Sequence, residues 1–257
     1  MIFLIGQDVL LYFAFKYEGD WDLIYQAIKN KEKIDEKALN LYKENMKYKY
    51  ITLLDEKYPI CLKNSFKPPF VLFYYGDITL LSSSHKITVV GSRNCTKYGE
   101  EVTRTICAEL SKKSYVIVSG MARGIDSIAH KSAINVNGKT IAVLGSGINY
   151  CYPKQNKFLY EIMKKEHLIL SEYPDNLIAR KENFPQRNRI IAAIGDGVFI
   201  PECQKSSGTS ITISYALNLG KEVFCVPFPI NISNGNNKLI KDGAILVETS
   251  IDIINEL

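Results

Sequence analysis

The residues best suited to chemistry begin where a short β-type run, Ile87-Thr88-Val89-Val90, ends in Gly91, Ser92 and Arg93, with a helical pattern close behind. A strand-to-helix turn of this kind suits an anion. Gly91 lets backbone approach a ligand closely. Ser92 and the N–H groups of the coming helix can donate to phosphate oxygens, and Arg93 adds a planar cation. The turn lacks the Gly-Lys-Ser/Thr of a Walker loop and a full Gly-x-Gly-x-x-Gly.

Similar turns recur along the chain. Gly120, Arg123, Gly124 and Asp126 follow Ser119. Gly145-Ser146-Gly147 leads to Tyr150, Tyr152-Pro153, Lys154 and Asn156. Ser171-Glu172-Tyr173-Pro174 is followed by Phe184-Pro185-Gln186-Arg187-Asn188-Arg189. Pro201-Glu202 precedes Ser206-Ser207-Gly208-Thr209-Ser210. Each turn alone serves equally well as a tight connection. Together they predict a donor-rich rim carrying Arg93, Arg123, Lys154, Arg187 and Arg189. Basic groups interleaved with aromatic faces suit single-stranded nucleic acid, whose phosphates pair with cations while unpaired bases stack on rings. Tyr150 reads as exposed, and Tyr152, beside Pro153, as a core or turn residue.

Catalytic and metal chemistry find less support. Asp126 and His130 stand i,i+4, which fits an acid/base pair or a structural hydrogen bond, and no Ser or Cys nucleophile stands at a recognisable spacing. His85 and His167 lie beside strands with no specific pattern. Glu202 reads as a partner for Arg187 or Arg189 more than as a catalytic carboxylate. The six cysteines, at 61, 95, 107, 151, 203 and 225, form no Cys-x-x-Cys and pair with no His at ligand spacing. They read as reduced thiols of a cytoplasmic protein with no metal and no cofactor.

The elements that must position the rim alternate from residue 86 onward. Strand candidates are 87–91, 115–119, 140–145, 167–171, 197–201, 222–226 and 244–247, with helical patterns between them. In 97–113, Val102, Ile106 and Leu110 line one face, and Glu100–Arg104 and Glu109–Lys113 are favourable i,i+4 pairs. Near-continuous apolar strands separated by helices predict an α/β fold: an extended Rossmann-like parallel sheet with helices on both faces. Such sheets bind ligands at the carboxyl ends of their strands.

Residues 1–50 predict a small helical module, with Glu18-Gly19-Asp20 as a break. Its Lys29–Lys49 stretch reads as a solvated face, because acidic residues interrupt it. Residues 51–85 predict an extended connector and a lead-in strand, Phe70 to Gly76, and 86–257 the Rossmann-like domain. Met1 to Ile5 lacks a basic n-region and reads as the start of a packed helix rather than a signal peptide. No segment has the length of a transmembrane span. Hydrophobic residues make up 46% of the 257, enough for a substantial core, and the net charge of +5 permits a polyanionic partner without requiring one.

Read as an ordered set over about residues 50–248, these motifs resemble the DNA-processing protein A family (DprA, also called Smf). The matching residues are Gly91-Ser92-Arg93 with Tyr98-Gly99, Ser119 to Asp126 with Ala129-His130, Ala142 to Gly147, Tyr152-Pro153 with Asn156, Ser171 to Pro174, Phe184 to Ile191, Ser207-Gly208-Thr209-Ser210 and Gly220 to Phe224. Tyr50 to Leu54, Tyr58-Pro59 and Pro68-Pro69 match the lead-in. The resemblance implies a protein that binds single-stranded DNA without cutting it, protects incoming DNA in natural transformation, displaces single-strand-binding protein and loads a RecA-type recombinase. It also implies a homodimer, expected through residues 86–248; Ile211, Ile213 and Leu217 offer an apolar patch for the contact or read as the buried face of their helix. It places Gly91, Ser92, Arg93, Gly120, Arg123, Gly147, Tyr150, Lys154, Asn156, Arg187, Arg189, Ser207, Gly208 and Thr209 at the DNA. Arg93 would hold a phosphate, and Tyr150 occupies the family's aromatic position.

The sequence departs from the family pattern twice. Only a short tail follows the last strand candidate, where many members carry a winged-helix-like domain. Pro227-Phe228-Pro229 also stands where a Gly is usual. The competing reading is a nucleoside-monophosphate phosphoribohydrolase of the lysine-decarboxylase-like LOG type. Its Pro-Gly-Gly-x-Gly-Thr-x-x-Glu motif would put the catalytic Glu at Thr212, where a hydroxyl cannot stabilise an oxocarbenium-like centre. A dinucleotide-dependent oxidoreductase ranks last, because Asp126 comes too early to bind a ribose.

Overall fold

A computed structural model of the chain describes residues 6–204, 208–230, 232 and 235–257. The expectations at Met1–Ile5, Ser206 and Ser207 therefore lie outside the described residues.

The first three helices are α1 (Gly6–Lys16), α2 (Trp21–Lys29) and α3 (Glu36–Asn45). Asp20 caps α2 by accepting from the Leu23 N–H, and Asp35 caps α3 from Lys37 and Ala38, satisfying donors that a helix start leaves unpaired. Next come β1 (Lys49–Thr52), the short α4 (Ile60–Lys63) and β2 (Val71–Gly76). The alternating series follows: β3 (Lys86–Val89), α5 (Lys97–Lys112), β4 (Val116–Ser119), α6 (Ile125–Asn135), β5 (Thr140–Val143), α7 (Lys157–Glu166) and β6 (Leu168–Ser171). It closes with α8 (Asn183–Ile194), β7 (Gly197–Ile200), α9 (Thr209–Asn218), β8 (Val223–Cys225), α10 (Asn236–Lys241), β9 (Ile245–Leu246) and α11 (Ser250–Ile254).

The strands form one nine-stranded sheet in the order β1-β2-β6-β5-β4-β3-β7-β8-β9. From β6 to β9 every neighbour is parallel, whereas β2 runs antiparallel to β6 and β1 to β2. The sheet is thus mixed at one end, and β1 straddles the boundary drawn at residue 50. Strand order reverses at β3, which lies between β4 and β7. Such a reversal splays the connections to opposite faces and opens a crevice at the strand carboxyl ends.

Alternate strand residues supply the two faces. Val116, Val118, Ile141, Val143, Leu168 and Leu170 pack with Ile190–Ile194 of α8 and Ile213 and Ala216 of α9. On the other face Ile87, Val89, Ile117, Phe199 and Phe224 meet Ile106, Cys107 and Leu110 of α5 and Ala129 and Ala133 of α6. The same face continues over β2, β5 and β6, where Phe73, Ala142 and Ile169 meet α7 and the three first helices. Phe15 stands edge-on to Phe73, ring centres 5.5 Å apart, so the helical module shares a core with the sheet. Among the described residues, no helix is long and apolar enough to cross a membrane. All six cysteines are free thiols.

Candidate nucleic-acid interface

A cleft of about 620 Å³ opens at the reversal of strand order. Residues 90–94 after β3, Ala122 after β4 and Gln204 after β7 form its floor and sides. The starts of α8 (Phe184, Pro185, Arg187, Asn188) and α9 (Gly208, Thr209, Ile211, Thr212) complete the walls, with Tyr152 and Lys181 at the edge. A second hollow of about 270 Å³ adjoins it over Gly120, Arg123, Gly145, Ser146, Pro153 and Gln155, and shares Arg93, Ala122, Tyr152 and Phe184. The two form one groove across the ends of β3, β4 and β5.

Its shared centre pairs a cation with aromatic rings. The exposed Arg93 guanidinium lies 5.4 Å from the centre of the Phe184 ring. The exposed Tyr152 ring stands 5.7 Å from Phe184, tilted by 43°. An arginine seated on a ring face loses little on desolvation and keeps its edge donors for an anion. Lys181 and Arg123, both exposed, extend the positive rim.

Beneath the rim, Arg187 is buried. It donates to the carbonyls of Gly120, at 2.6 Å, and Val143, and so ties the ends of β4 and β5 to α8. The guanidinium packs directly on Gly120, where a Cβ would fall 2.6 Å from its nitrogens. Burial pulls the Arg187 guanidinium down to about 10, still charged near neutrality. Asp126, also buried, accepts from the N–H groups of Gly120 and Ala122. Burial raises its carboxyl above the usual range, and Arg187 opposes that rise. Gly124 caps α6 at φ +70°, with Ser92 O only 2.3 Å from where a side chain would begin, so the β3 and β4 turns lock together.

A smaller pocket, about 190 Å³, lies between the α1–α2 turn and the start of α8. Glu18, Asp20, Asp22, Glu172 and Glu182 rim it. Its two arginines are spoken for: Arg180 pairs with Glu18 at 2.8 Å and Arg189 with Glu172 at 2.6 Å. That acidic rim would repel phosphate, so the groove at the strand reversal is the candidate interface.

The family model of DNA recombination-mediator protein A matches residues 49–257, which include every part of the groove. This chain belongs to that family. It is 42% identical over 209 residues to DNA processing protein DprA of Bacillus subtilis, covering 80% of this chain and 70% of the relative. The X-ray structure of DNA processing protein A from Streptococcus pneumoniae superposes with a TM-score of 0.83 over 99% of this chain and 94% of that one, at 36% identity. DNA processing protein A from Helicobacter pylori, whose structure reports a single-stranded DNA binding mode, gives 0.74 over 82% and 96%, at 33% identity.

Set within this family's fold, the expected site residues divide. Gly91, Ser92, Arg93, Arg187, Gly208 and Thr209 line the large cleft, and Gly120 and Arg123 the adjoining hollow. Lys154 is exposed between the lining residues Pro153 and Gln155.

Others are turned inward. Arg189 is 1% exposed and makes a two-pronged ion pair with Glu172, so it belongs to the core. Asn156 is buried and donates to the carbonyls of Met121 and Ala122. Gly147 packs against the backbone of 174–177, donating to Leu177 O at 2.8 Å. Tyr150 is half-buried and outside the groove, while Tyr152, read as a core or turn residue, lies in a loop and is 45% exposed within the groove. The Ser92 N–H donates to Glu202 O at 2.8 Å rather than outward. Glu202 meets neither Arg187 nor Arg189; its carboxylate accepts from Thr96.

Asp126 and His130 also part company, since His130 Nδ1 meets the Thr140 hydroxyl at 2.6 Å. Ile211 lines the cleft, Ile213 is buried and Leu217 is exposed, so these three make no continuous apolar patch.

Among the cationic and aromatic residues of the groove, Lys181 and the ring of Phe184 were not singled out in the sequence. Phe184 stood inside the Phe184–Arg189 motif. Its ring could have been noticed as one turn from Arg187 on the first turn of a helix, where side chains at i and i+3 share a face.

Proposed function

We propose that the groove binds single-stranded DNA and that the protein protects incoming DNA and loads a RecA-type recombinase in natural transformation and recombination. The observation that carries this is the Arg93–Phe184–Tyr152 cluster: an exposed cation and exposed ring surface within one open groove. Phosphate charge and unstacked bases are the two features that distinguish a single strand, and the cluster offers a partner for each. Gly91, Arg93, Arg123, Lys154, Lys181, Gly208 and Thr209 are the residues we assign to the strand. The Helicobacter relative's single-stranded DNA binding mode, on the same fold, supports single-stranded DNA as the ligand.

The protein acts in this reading as a binding protein without catalysis of its own. Thr212 lines the cleft at the position of the phosphoribohydrolase Glu and is 1% exposed. The deciding experiment is fluorescence anisotropy with single- and double-stranded oligonucleotides at several salt concentrations. Single strands should bind more tightly, with affinity falling linearly in log salt. Equal or tighter duplex binding refutes the reading. Release of free base from nucleoside monophosphates would favour the enzyme.

The recombinase, displacement of single-strand-binding protein and a cytoplasmic site of action follow the family's role. They are tested by the rate of recombinase filament formation on coated single strands. A homodimer would double the contact length along one strand and gain by effective concentration. Light scattering on the full chain tests it, since removal of β1 and β2 would strip strands from the sheet.

A further inference from the structure

Glu202 follows β7 and is 5% exposed, and among the described residues the hydrogen bonds it accepts come from the loop that carries Arg93. Its backbone carbonyl accepts from the Ser92 N–H at 2.8 Å. Its Oε2 accepts from both the backbone N–H and the hydroxyl of Thr96, each at 2.8 Å. Thr96 is the N-cap of α5, and its hydroxyl oxygen in turn accepts from the Gly99 N–H at 3.1 Å. Two glycines make room for these contacts. A Cβ on Gly91 would lie 2.4 Å from Glu202 O, and one on Gly99 would lie 2.1 Å from Oε2.

One residue therefore clamps both ends of the loop. Arg93 stands between the clamps, exposed, with its side chain laid on Phe184. The carboxylate also occupies the positive end of α5, the seat that a phosphate would take at a helix start. The strand-to-helix turn has its own internal anion, which leaves Arg93 to meet an external one.

We propose that Glu202 is a positioning residue for phosphate recognition: it holds residues 91–96 so that Arg93 is presented to the DNA backbone before the strand arrives. The proposal rests on the single-stranded DNA reading of the groove. A loop ordered in advance does not have its ordering entropy charged to binding.

The test compares Glu202→Ala, Glu202→Gln, Arg93→Ala and the double variant Glu202→Ala/Arg93→Ala in single-strand affinity across salt, with thermal melts alongside. Glu202→Ala should lose about tenfold in affinity and flatten the log–log salt slope by about 0.7, the value of one phosphate on a single strand. Glu202→Gln should stay within about twofold of wild type, because an amide oxygen can accept both Thr96 bonds. The double variant should bind no more weakly than Arg93→Ala alone, since the clamp acts through that arginine.

Losses that multiply in the double variant overturn the proposal. So does wild-type affinity in Glu202→Ala. Tighter binding by Glu202→Ala also overturns it, because the carboxylate would then act only by repelling the polyanion. If Glu202→Ala does not fold, Thr96→Val removes the hydroxyl contact and leaves the carboxylate. It should show a smaller loss of the same kind, and unchanged affinity and slope would refute the clamp. Wild-type binding by Arg93→Ala would instead refute the DNA reading of the groove.

Discussion

Arg93 and Phe184 come from different parts of the chain, the β3 turn and the first turn of α8, and meet with the guanidinium 5.4 Å from the ring centre. The ring holds the cation by one face and leaves its edge open. Arg93→Ala should cost about 1.5–3 kcal/mol in single-strand affinity, the range for a charge-assisted hydrogen bond, and should flatten the salt dependence. An isotherm and salt slope matching the wild type would remove Arg93 from the interface and, with it, refute the DNA reading of the groove.

The ring surface itself is the second expected contact. Tyr152 is exposed beside Phe184, whereas Tyr150 is half-buried and outside the groove. Tyr152→Ala should therefore cost about 1–3 kcal/mol, the worth of one base stacked on an aromatic, with Tyr152→Phe nearly neutral. Tyr150→Ala should change affinity little. The reverse ranking in a binding titration would return the stacking role to Tyr150.

These two residues show where sequence reading succeeds and where it stops. The parallel strands were legible because buried strands read as near-continuous apolar runs, such as Ile87 to Val90, punctuated by Gly or Pro at the rim. Arg93 was legible for the same reason: chain position after a central strand fixes it at the sheet's carboxyl edge. Arg189 was not, because an Arg-Asn-Arg triplet on a helix looks equally basic whichever way it faces. Only packing reveals that Glu172, from another strand end, waits for it in the core. β1 escaped because an edge strand of four residues with one half buried, Lys49-Tyr50-Ile51-Thr52, carries too little periodicity to separate it from a helix end. Tyr152 and Tyr150 differ by two positions in an irregular loop, where no period dictates the direction of a side chain.

The Arg189–Glu172 pair makes a stability prediction. Arg189 donates through both terminal nitrogens to Glu172, at 2.6 Å each, and through Nε to Lys67 O at 3.0 Å. Removing one partner leaves an uncompensated charge in the core, which typically costs about 3–5 kcal/mol. Glu172→Gln should lower the urea midpoint sharply and leave the salt slope of DNA binding unchanged in the folded fraction. A variant with wild-type stability but a flatter salt slope would put Arg189 back on the DNA.

Acid should weaken the fold through His130. The ring is 0% exposed, Nδ1 meets the Thr140 hydroxyl and, among the described residues, Nε2 has no hydrogen-bond partner. Burial, with His167 and Arg187 nearby, pulls its pKa down to about 3. An unfolded histidine titrates near 6.5, so below that pH the unfolded chain takes up a proton that the folded chain refuses. The contribution of the neutral ring is complete above about pH 6.5. It is lost progressively as the pH falls towards 3, by at most about 1.4 kcal/mol per pH unit. Buried His167, whose pKa is also lowered by burial, acts in the same direction. Asp126 acts oppositely, because its raised pKa favours the folded state in acid. The His130 share is isolated by urea melts of wild type and His130→Gln between pH 4.5 and 7.5, a window of about three units around the unfolded histidine value. Their stability difference should shrink as the pH falls, since the variant has no proton to refuse. A difference constant across the window would show that His130 takes up its proton without cost in the folded protein.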